Sequence, residues 1–585
     1  MITFIRQLSN RWSCWRGFNR AFALIISLST ACCLLPTVLT GCTRIDKEAN
    51  AAQAANNNNT TTPAYGDTIV EGTIGEPSVL IPMLAGDASS HNVAGLIING
   101  LVKYDKDLSL IGDLAESWDI SKDGLTITFH LRKGVRWTDG VEFTAHDVMF
   151  GYKTIIYEKT PTPYSEDFKQ VKKAEAIDKY TFRVTYEKPF APALSSWGNL
   201  VVLPKHLLEG KDITKSELGR RPVGMGPYKF VKWTPGQEVV LESNPDYFEG
   251  RPYIDRYMYR IIPDPATMFL ELKAGGIDWM SLTPIQYTKQ TNTPYFEKNF
   301  KKYRYPAPTY TYMGFNLCLK REQNTGRCIE KHPWFSDKRV RQAIAYAVDK
   351  QEIVDGVLFG LGSPATGSFV PNTWAYNANV KKYEHNPEKA KQLLAEAGWG
   401  DADGDGILDK DGRPFEFTIL TNQGNSVRIN TATIIQWRLA MVGIKVKVRT
   451  LEWSTFINEF IDKRRFEAVV LGWSLGLDPD QYDIWHSSKT KEKEFNFVNY
   501  NNPEVDALLE KGRGTFDIEK RKKAYFRIQE ILADELPYIF LYVPDATPVV
   551  HSRFKGIAPA PLIGMGYNIH KWYVPKEMQR HKVIQ

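Results

Sequence analysis

Acidic residues are missing from the start of this chain: none precedes Asp46, while Arg6, Arg11, Arg16 and Arg20 stand ahead of the apolar run 21–38. A positive segment followed by an apolar one is the order of a secretory signal. No later window approaches eighteen consecutive apolar residues, so the rest is expected to contain no membrane span. Cysteine is scarce as well. Of six, Cys14, Cys32 and Cys33 lie ahead of or within the apolar run and Cys42 just after it, which leaves Cys318 and Cys328 and excludes a scaffold held by many disulfides. No Gly-x-Ser-x-Gly elbow, His-Glu-x-x-His helix or phosphate loop ending in Lys and Ser or Thr is expected, and ten scattered histidines mark no metal cluster. Paired acids of an unusual hydrolase stay open, because their spacing in space is invisible here. The formal charge of +7 owes four of its positive charges to the leading arginines, so nothing suggests a nucleic-acid partner.

The apolar run ends in Leu39, Thr40, Gly41 and Cys42. Small residues before a cysteine resemble the bacterial lipobox, in which cleavage exposes the cysteine for lipid attachment. Residues 1–41 are therefore expected to be a lipoprotein signal peptide. The alternatives are an uncleaved membrane helix and a buried structural Cys42, though Thr43, Arg44 and Asp46 give that thiol little apolar company. Several acyl chains anchor stably where one does not, so the mature protein is expected at the membrane surface, in the periplasm or on the outer face. Residues 42–65 are mostly Ala, Asn, Gln and Thr, with nothing to bury, and read as a flexible tether. Export favours a Cys318–Cys328 disulfide; two free thiols are the alternative.

Even without the leader the chain exceeds what one core usually serves, about 250–300 residues, and suggests two to four domains. Leu125, Ile127, Phe129 and Leu131 alternate with polar neighbours as in a half-buried strand that puts His130 on the other face. Thr144 with Asp147 forms a capping pair for a helix over 145–152. Val340, Ile344, Ala347 and Val348 fall at helical spacing, and Pro387 and Gly398 bracket another helix. Phe415–Leu420, a helix over 430–441 and 444–448 form a βαβ pattern. Such a mixture argues for α/β lobes with a cleft between them.

The stretch Leu114-Ala115-Glu116-Ser117-Trp118, the run from Gly124 to Trp137, and Asp139-Gly140 through Asp147-Val148 resemble the signature of extracellular solute-binding proteins, family 5. Matches continue at Gly226-Pro227-Tyr228, Gly275 to Asp278, Phe335 to Lys350, Ala390 to Gly398 and Gly472-Trp473, so the resemblance covers the chain from about Gly66 onward. It implies an α/β two-lobed periplasmic-binding-protein fold with an extra subdomain on the first lobe. Mapped here, lobe I is 66–98, 199–310 and 547–585, its subdomain 99–198 and lobe II 311–546, with two hinge crossings near Tyr310 and Ala546. It also implies a monomeric binder without cofactor, not an enzyme: the component of an ABC importer that captures an oligopeptide-like solute and delivers it to a permease and its ATPase subunits. Oligosaccharide or another small polar solute is the alternative ligand. A periplasmic peptide-binding chaperone or a hydrolase is the alternative class.

The same resemblance places Trp453, Trp473 and Ser474 on the ligand cavity, and Glu76, Trp197, Tyr312, Asn316 and Tyr542 at less distinctive cleft positions. Packing is the competing role for each. Many peptide binders carry an aspartate three residues after the tryptophan, where it pairs with the peptide ammonium. That position is Gly476 here, and Asp478 is either its substitute or a turn residue before Pro479. Asp401, Asp403, Asp405 and Asp409 begin like a calcium loop, but the twelfth position is Gly412 rather than Glu; an acidic hairpin turn is the alternative.

Overall fold

A computed structural model describes residues 62–198 and 202–581. The expected signal segment, Cys42 with its lipid and most of the expected tether lie outside the described residues. No helix among the described residues is long and apolar enough to cross a membrane.

Strand β1 (Thr68–Thr73) is buried at most of its positions, the mark of a strand covered on both faces. It pairs in parallel with Arg256–Ile261 on one side and Trp279–Ser281 on the other. Around it grows a seven-stranded sheet that runs from Phe300–Lys302 to Tyr228–Thr234 and takes in Pro548–His551 from near the C-terminus. Arg553 fixes that return: it is fully buried, ion-paired to Asp67 and to Asp278 at 2.8 Å, and donates to the Thr68 carbonyl at 3.1 Å. A buried guanidinium needs this complete set of acceptors to offset its desolvation.

A second seven-stranded sheet contains β2 (Thr309–Phe315), β3 (Glu416–Asn422), β4 (Ala468–Ser474) and β5 (Tyr538–Ala546), with Tyr305–Pro306 and Lys445–Leu451 at its two ends. The expected βαβ unit is present: β3 and Lys445–Leu451 are parallel, joined by helix α1 (Ser426–Ala440). This helix begins four residues earlier than its apolar pattern suggested, because Asn425 accepts the Arg428 amide and caps it. A four-stranded antiparallel sheet over 115–186 is the third body. Thr144 and Asp147 form the expected capping box of its helix Ala145–Ile155.

The chain passes between the two large sheets twice, at 303–304 and at Thr547. The first passage precedes the expected Tyr310, since Tyr305 and Pro306 already pair with Ala546 and Asp545. Tyr310 lies inside β2, fully buried. Cys318 and Cys328 are disulfide-bonded across the hairpin that follows β2.

Candidate functional site

The end of β4 carries the site. Ala468 to Leu471 are buried, and Gly472, Trp473 and Ser474 emerge from the core. β2 pairs along the whole of β4, from Phe315 opposite Ala468 to Thr309 opposite Ser474. β3 reaches only Ala468 and Val469. On the β3 side, Gly472–Ser474 thus present a backbone edge with no strand partner among the described residues. Beside that edge lies Arg428, whose Nη1 donates to Asn422 Oδ1 at 3.0 Å. A side chain at position 472 would stand 2.9 Å from the Tyr310 carbonyl and 3.0 Å from Arg428 Nη2, so only glycine lets the guanidinium come this close. Burial holds the Arg428 pKa below the ordinary arginine value. Among the described residues no carboxylate forms an ion pair with it, which leaves a desolvated cation short of a counter-charge.

Two of the expected tryptophans are half-buried, one within this edge and one against the first sheet's loop. The half-buried Trp473 ring packs 5.1 Å from Phe495 and 5.8 Å from Phe497, and its Nε1 donates to Tyr538 Oη at 3.4 Å. Trp453 opens a short helix capped by Glu452. Its ring is 3.6 Å from where a Cβ on Gly75 would be, so it touches the loop that follows β1 on the first sheet. Trp453 Nε1 is buried with no hydrogen-bond partner. An unmet donor there costs about 1–3 kcal/mol unless something accepts from it.

Past Gly476 the chain carries Asp478, Asp480 and Asp483, each facing a cation. Arg521 holds Asp478 at 2.7 Å. Arg513 joins Asp480, at 2.6 Å, to Asp167 of the four-stranded body, at 2.5 Å. Lys489 Nζ lies 3.4 Å from Asp483 and 3.9 Å from Glu166, also of that body. Burial raises Asp480 to about 6 against the attraction of Arg513, and Asp483 to about 7 against that of Lys489. Nearer the passages, a cavity of about 340 Å³ separates the two large sheets. Glu71 lines it, and burial pushes this carboxyl up to about 8 despite the hydrogen bond from Tyr257.

Of the expected residues, Trp473 and Ser474 stand at the end of β4, and Trp453 stands against Gly75. Ser474 is exposed at the strand end. It is the centre of Gly472-Trp473-Ser474-Leu475-Gly476, which spells Gly-x-Ser-x-Gly. A nucleophile elbow needs a sharp turn straight into a helix; here the chain runs as a loop to Tyr482. Asp478 already has a counter-cation: its Oδ1 accepts from Arg521 at 2.7 Å and from the Asp480 amide at 2.9 Å. Trp197 is fully buried in the core of the four-stranded body, packed on Phe168 and Phe182 and bonded to Tyr186 Oη at 2.9 Å. It is a core residue rather than a cleft residue, since its whole indole is taken up by neighbours from one body.

Tyr312 and Tyr542 are likewise buried beneath the second sheet, Tyr312 stacked on Tyr538 at 3.9 Å. Asn316 is buried and spends its amide on the Arg464 and Phe466 carbonyls. Glu76 lies partly exposed on the loop after β1, where it accepts from Trp233 Nε1 and the Gly236 amide. Asp401, Asp403 and Asp405 can bring three carboxylate oxygens within 4.8 Å of one another, without Asp409. Those carboxylates accept amides of Gly404, Gly406, Asp405 and Ile407, which is how an acidic turn holds itself. Sequence reasoning passed over Arg428, Glu71 and Arg513. The weak signals for them were an arginine in the first turn of a helix and a lone acid inside a buried strand.

An unpaired strand edge, a half-buried indole within it and a cation without an ion pair among the described residues make the end of β4 a candidate solute-binding site. Residues 109–495 match the bacterial extracellular solute-binding proteins, family 5 middle region. The chain belongs to that family; it is a solute binder that works outside the cytoplasm, not an enzyme. It is 37% identical over 525 residues to the oligopeptide-binding protein AppA of Bacillus subtilis, covering 88% of this chain and 93% of that protein. The structure of AppA in complex with a nonapeptide superposes with a TM-score of 0.82 at 36% identity, over 88% of this chain and all of that one. NikZ of Campylobacter jejuni in complex with Ni(L-His) gives a TM-score of 0.77 at 31% identity, over 87% of this chain and 99% of that one. Heme-binding protein A of Haemophilus influenzae is 31% identical over 532 residues, covering 86% and 90% of the two chains.

Proposed function

We propose that this protein is the lipid-anchored receptor of an ABC importer, that it takes an oligopeptide into the cleft beside β4, and that it hands it to a membrane permease. The observation that carries the peptide reading is Arg428: a half-buried guanidinium that no carboxylate among the described residues ion-pairs, against a strand edge that lacks a partner. An extended peptide supplies both missing groups, main-chain hydrogen bonds along Gly472–Ser474 and a carboxylate for the guanidinium. Trp453 Nε1 then has a peptide carbonyl to donate to. Similarity to AppA, which was solved with a nonapeptide, supports the same ligand class; the nickel and heme binders among the relatives show why family membership alone does not select it.

In this reading lobe I comprises 66–98, 199–303 and 547–585, the subdomain 99–198 and lobe II 304–546, closing about the two passages. A few backbone angles there suffice for such a motion. Contacts such as Arg513 with Asp167 and Trp453 with Gly75 form on closure, and the ligand selects that state. Cleavage before Cys42 and acylation of its thiol tether the receptor through residues 42–65.

Calorimetry on the residues from 43 onward, with peptides, their C-terminal amides and oligosaccharides, tests the ligand. Peptides are expected to bind, and amidation to weaken them about tenfold or more, the worth of a charge-assisted hydrogen bond. Binding of oligosaccharide alone overturns the reading. Labelled palmitate entering the wild type but not Cys42→Ala tests the anchor.

A further inference from the structure

The cavity between the two large sheets holds a charged group that the peptide reading does not use. Its walls come from the end of β1 and from Met268 and Met280 on one side, and from Leu358, Leu361 and the first turn of α1 on the other. At about 340 Å³ it stands at the small end of ligand pockets, roughly 300–1,000 Å³, room for a side chain rather than a whole peptide. Val427 lines it, and Val427 adjoins Arg428, so a peptide held at Arg428 has this cavity beside it.

Within the cavity Glu71 is oriented by a hydrogen bond but has no cationic partner among the described residues. Tyr257 Oη donates to its Oε2 at 2.6 Å, and Trp279 Nε1 donates to the same phenol at 3.1 Å. Among the described residues Oε1 has no hydrogen-bond donor, and no Lys, Arg or His ion-pairs with the carboxylate. The lining contains no basic residue at all. Its one other acid, Asp545, is engaged by Arg304 at 2.6 Å. The helix starts at the wall are already satisfied in part: Asn425 caps α1, and the Asp264 carboxylate caps helix Pro265–Ala274. The phenols of Tyr257 and Tyr259 are the remaining titratable groups near Glu71.

We infer that this cavity is a selectivity pocket for a cationic group of the bound peptide, with Glu71 as its counter-charge and the apolar walls taking the methylenes that carry it. The inference rests on the peptide reading above. An ammonium or guanidinium suits the site for a chemical reason: two apolar sulfur-bearing side chains and two leucines accommodate the stem, and the carboxylate accepts from the head. The cation comes either from a lysine or arginine side chain or from the peptide's α-ammonium, for which Asp478 is already paired with Arg521. Because burial keeps Glu71 protonated near neutrality in the empty protein, seating a cation drives its proton off.

The experiment is calorimetry at pH 7 in buffers of different ionisation enthalpy. The probes are alanine-based nonapeptides with a single lysine moved along the sequence, each matched to a norleucine version and to an N-acetylated version. At one lysine position affinity is expected to exceed that of norleucine at least tenfold, with close to one proton released; if acetylation instead removes the effect, the source is the α-ammonium. Glu71→Gln is expected to equalise the matched peptides and abolish the release. Equal binding of lysine, norleucine and acetylated peptides by the wild type, with no proton released, overturns this inference and leaves the peptide reading standing. If no peptide binds, both fall. The wild-type proton count needs no variant, so poor folding of Glu71→Gln does not decide the outcome.

Discussion

Arg513 offers a sharp test of how the cleft is held. Its guanidinium is almost wholly buried, 6% exposed, between Asp480 and Asp167, and it lies over the Tyr482 ring at 4.1 Å. Arg513→Met keeps much of the packing and removes the charge, which leaves Asp480, 8% exposed, without its cation. Breaking one side of a buried pair costs about 3–5 kcal/mol. The size must depend on pH. In the wild type, burial has raised Asp480 from 3.8 to about 6, so its contribution to stability is fully present below 3.8 and lost as pH rises through about 6. Arg513 opposes that rise, so removing it lifts the Asp480 pKa further and steepens the loss above pH 6. Urea denaturation is expected to show a deficit near 3–4 kcal/mol at pH 8, shrinking to half or less at pH 5, where Asp480 takes up a proton. Adding Asp480→Asn to Arg513→Met should recover more than about 1 kcal/mol at pH 8, a coupling that separates charge from packing. A deficit that is the same at both pH values, or no recovery in the double variant, refutes the electrostatic account and leaves packing against Tyr482 as the cause.

Other outcomes follow from the same geometry. The ligand-free protein should lose stability as pH rises from 4.5 through 8, because Glu71 is raised over that window. Glu71→Gln should flatten the slope by at most about 5 kcal/mol, at about 1.4 kcal/mol per pH unit, measured by urea titration at several pH values. Trp473→Ala should weaken peptide binding by about 2 kcal/mol or more, whereas Trp197→Ala should cost about 3–5 kcal/mol of stability and leave calorimetric affinity per folded molecule unchanged. Reducing the Cys318–Cys328 bridge, which closes a sequence separation of 10 residues, should cost about 2–3 kcal/mol in chemical denaturation.

The elements that could be read from the sequence are those whose causes are local. The Thr144–Asp147 box, the Pro387 helix start and the alternation before Leu131 each place their determinants within a turn or a strand, and the structure has a helix or strand at every one. Much of the site depends instead on residues hundreds of positions apart. Asp167 and Arg513 are 346 residues distant in the chain, and Asp67 and Arg553 are 486; no periodicity relates them. Asp478 looked free to meet a ligand because its partner, Arg521, lies on a helix 43 residues further on. Arg428, ahead of the helix expected over 430–441, drew no notice because what crowds it comes from β4, whose glycine at 472 admits it. Aromatic residues mislead for the same reason: the indoles of Trp197 and Trp473 are chemically identical, and only the number of sides from which neighbours arrive makes one core and leaves the other half-buried at a strand end. What a charged or aromatic residue does here is therefore fixed by the partners it lacks, and a missing partner becomes visible only when every body that could have supplied one is in place.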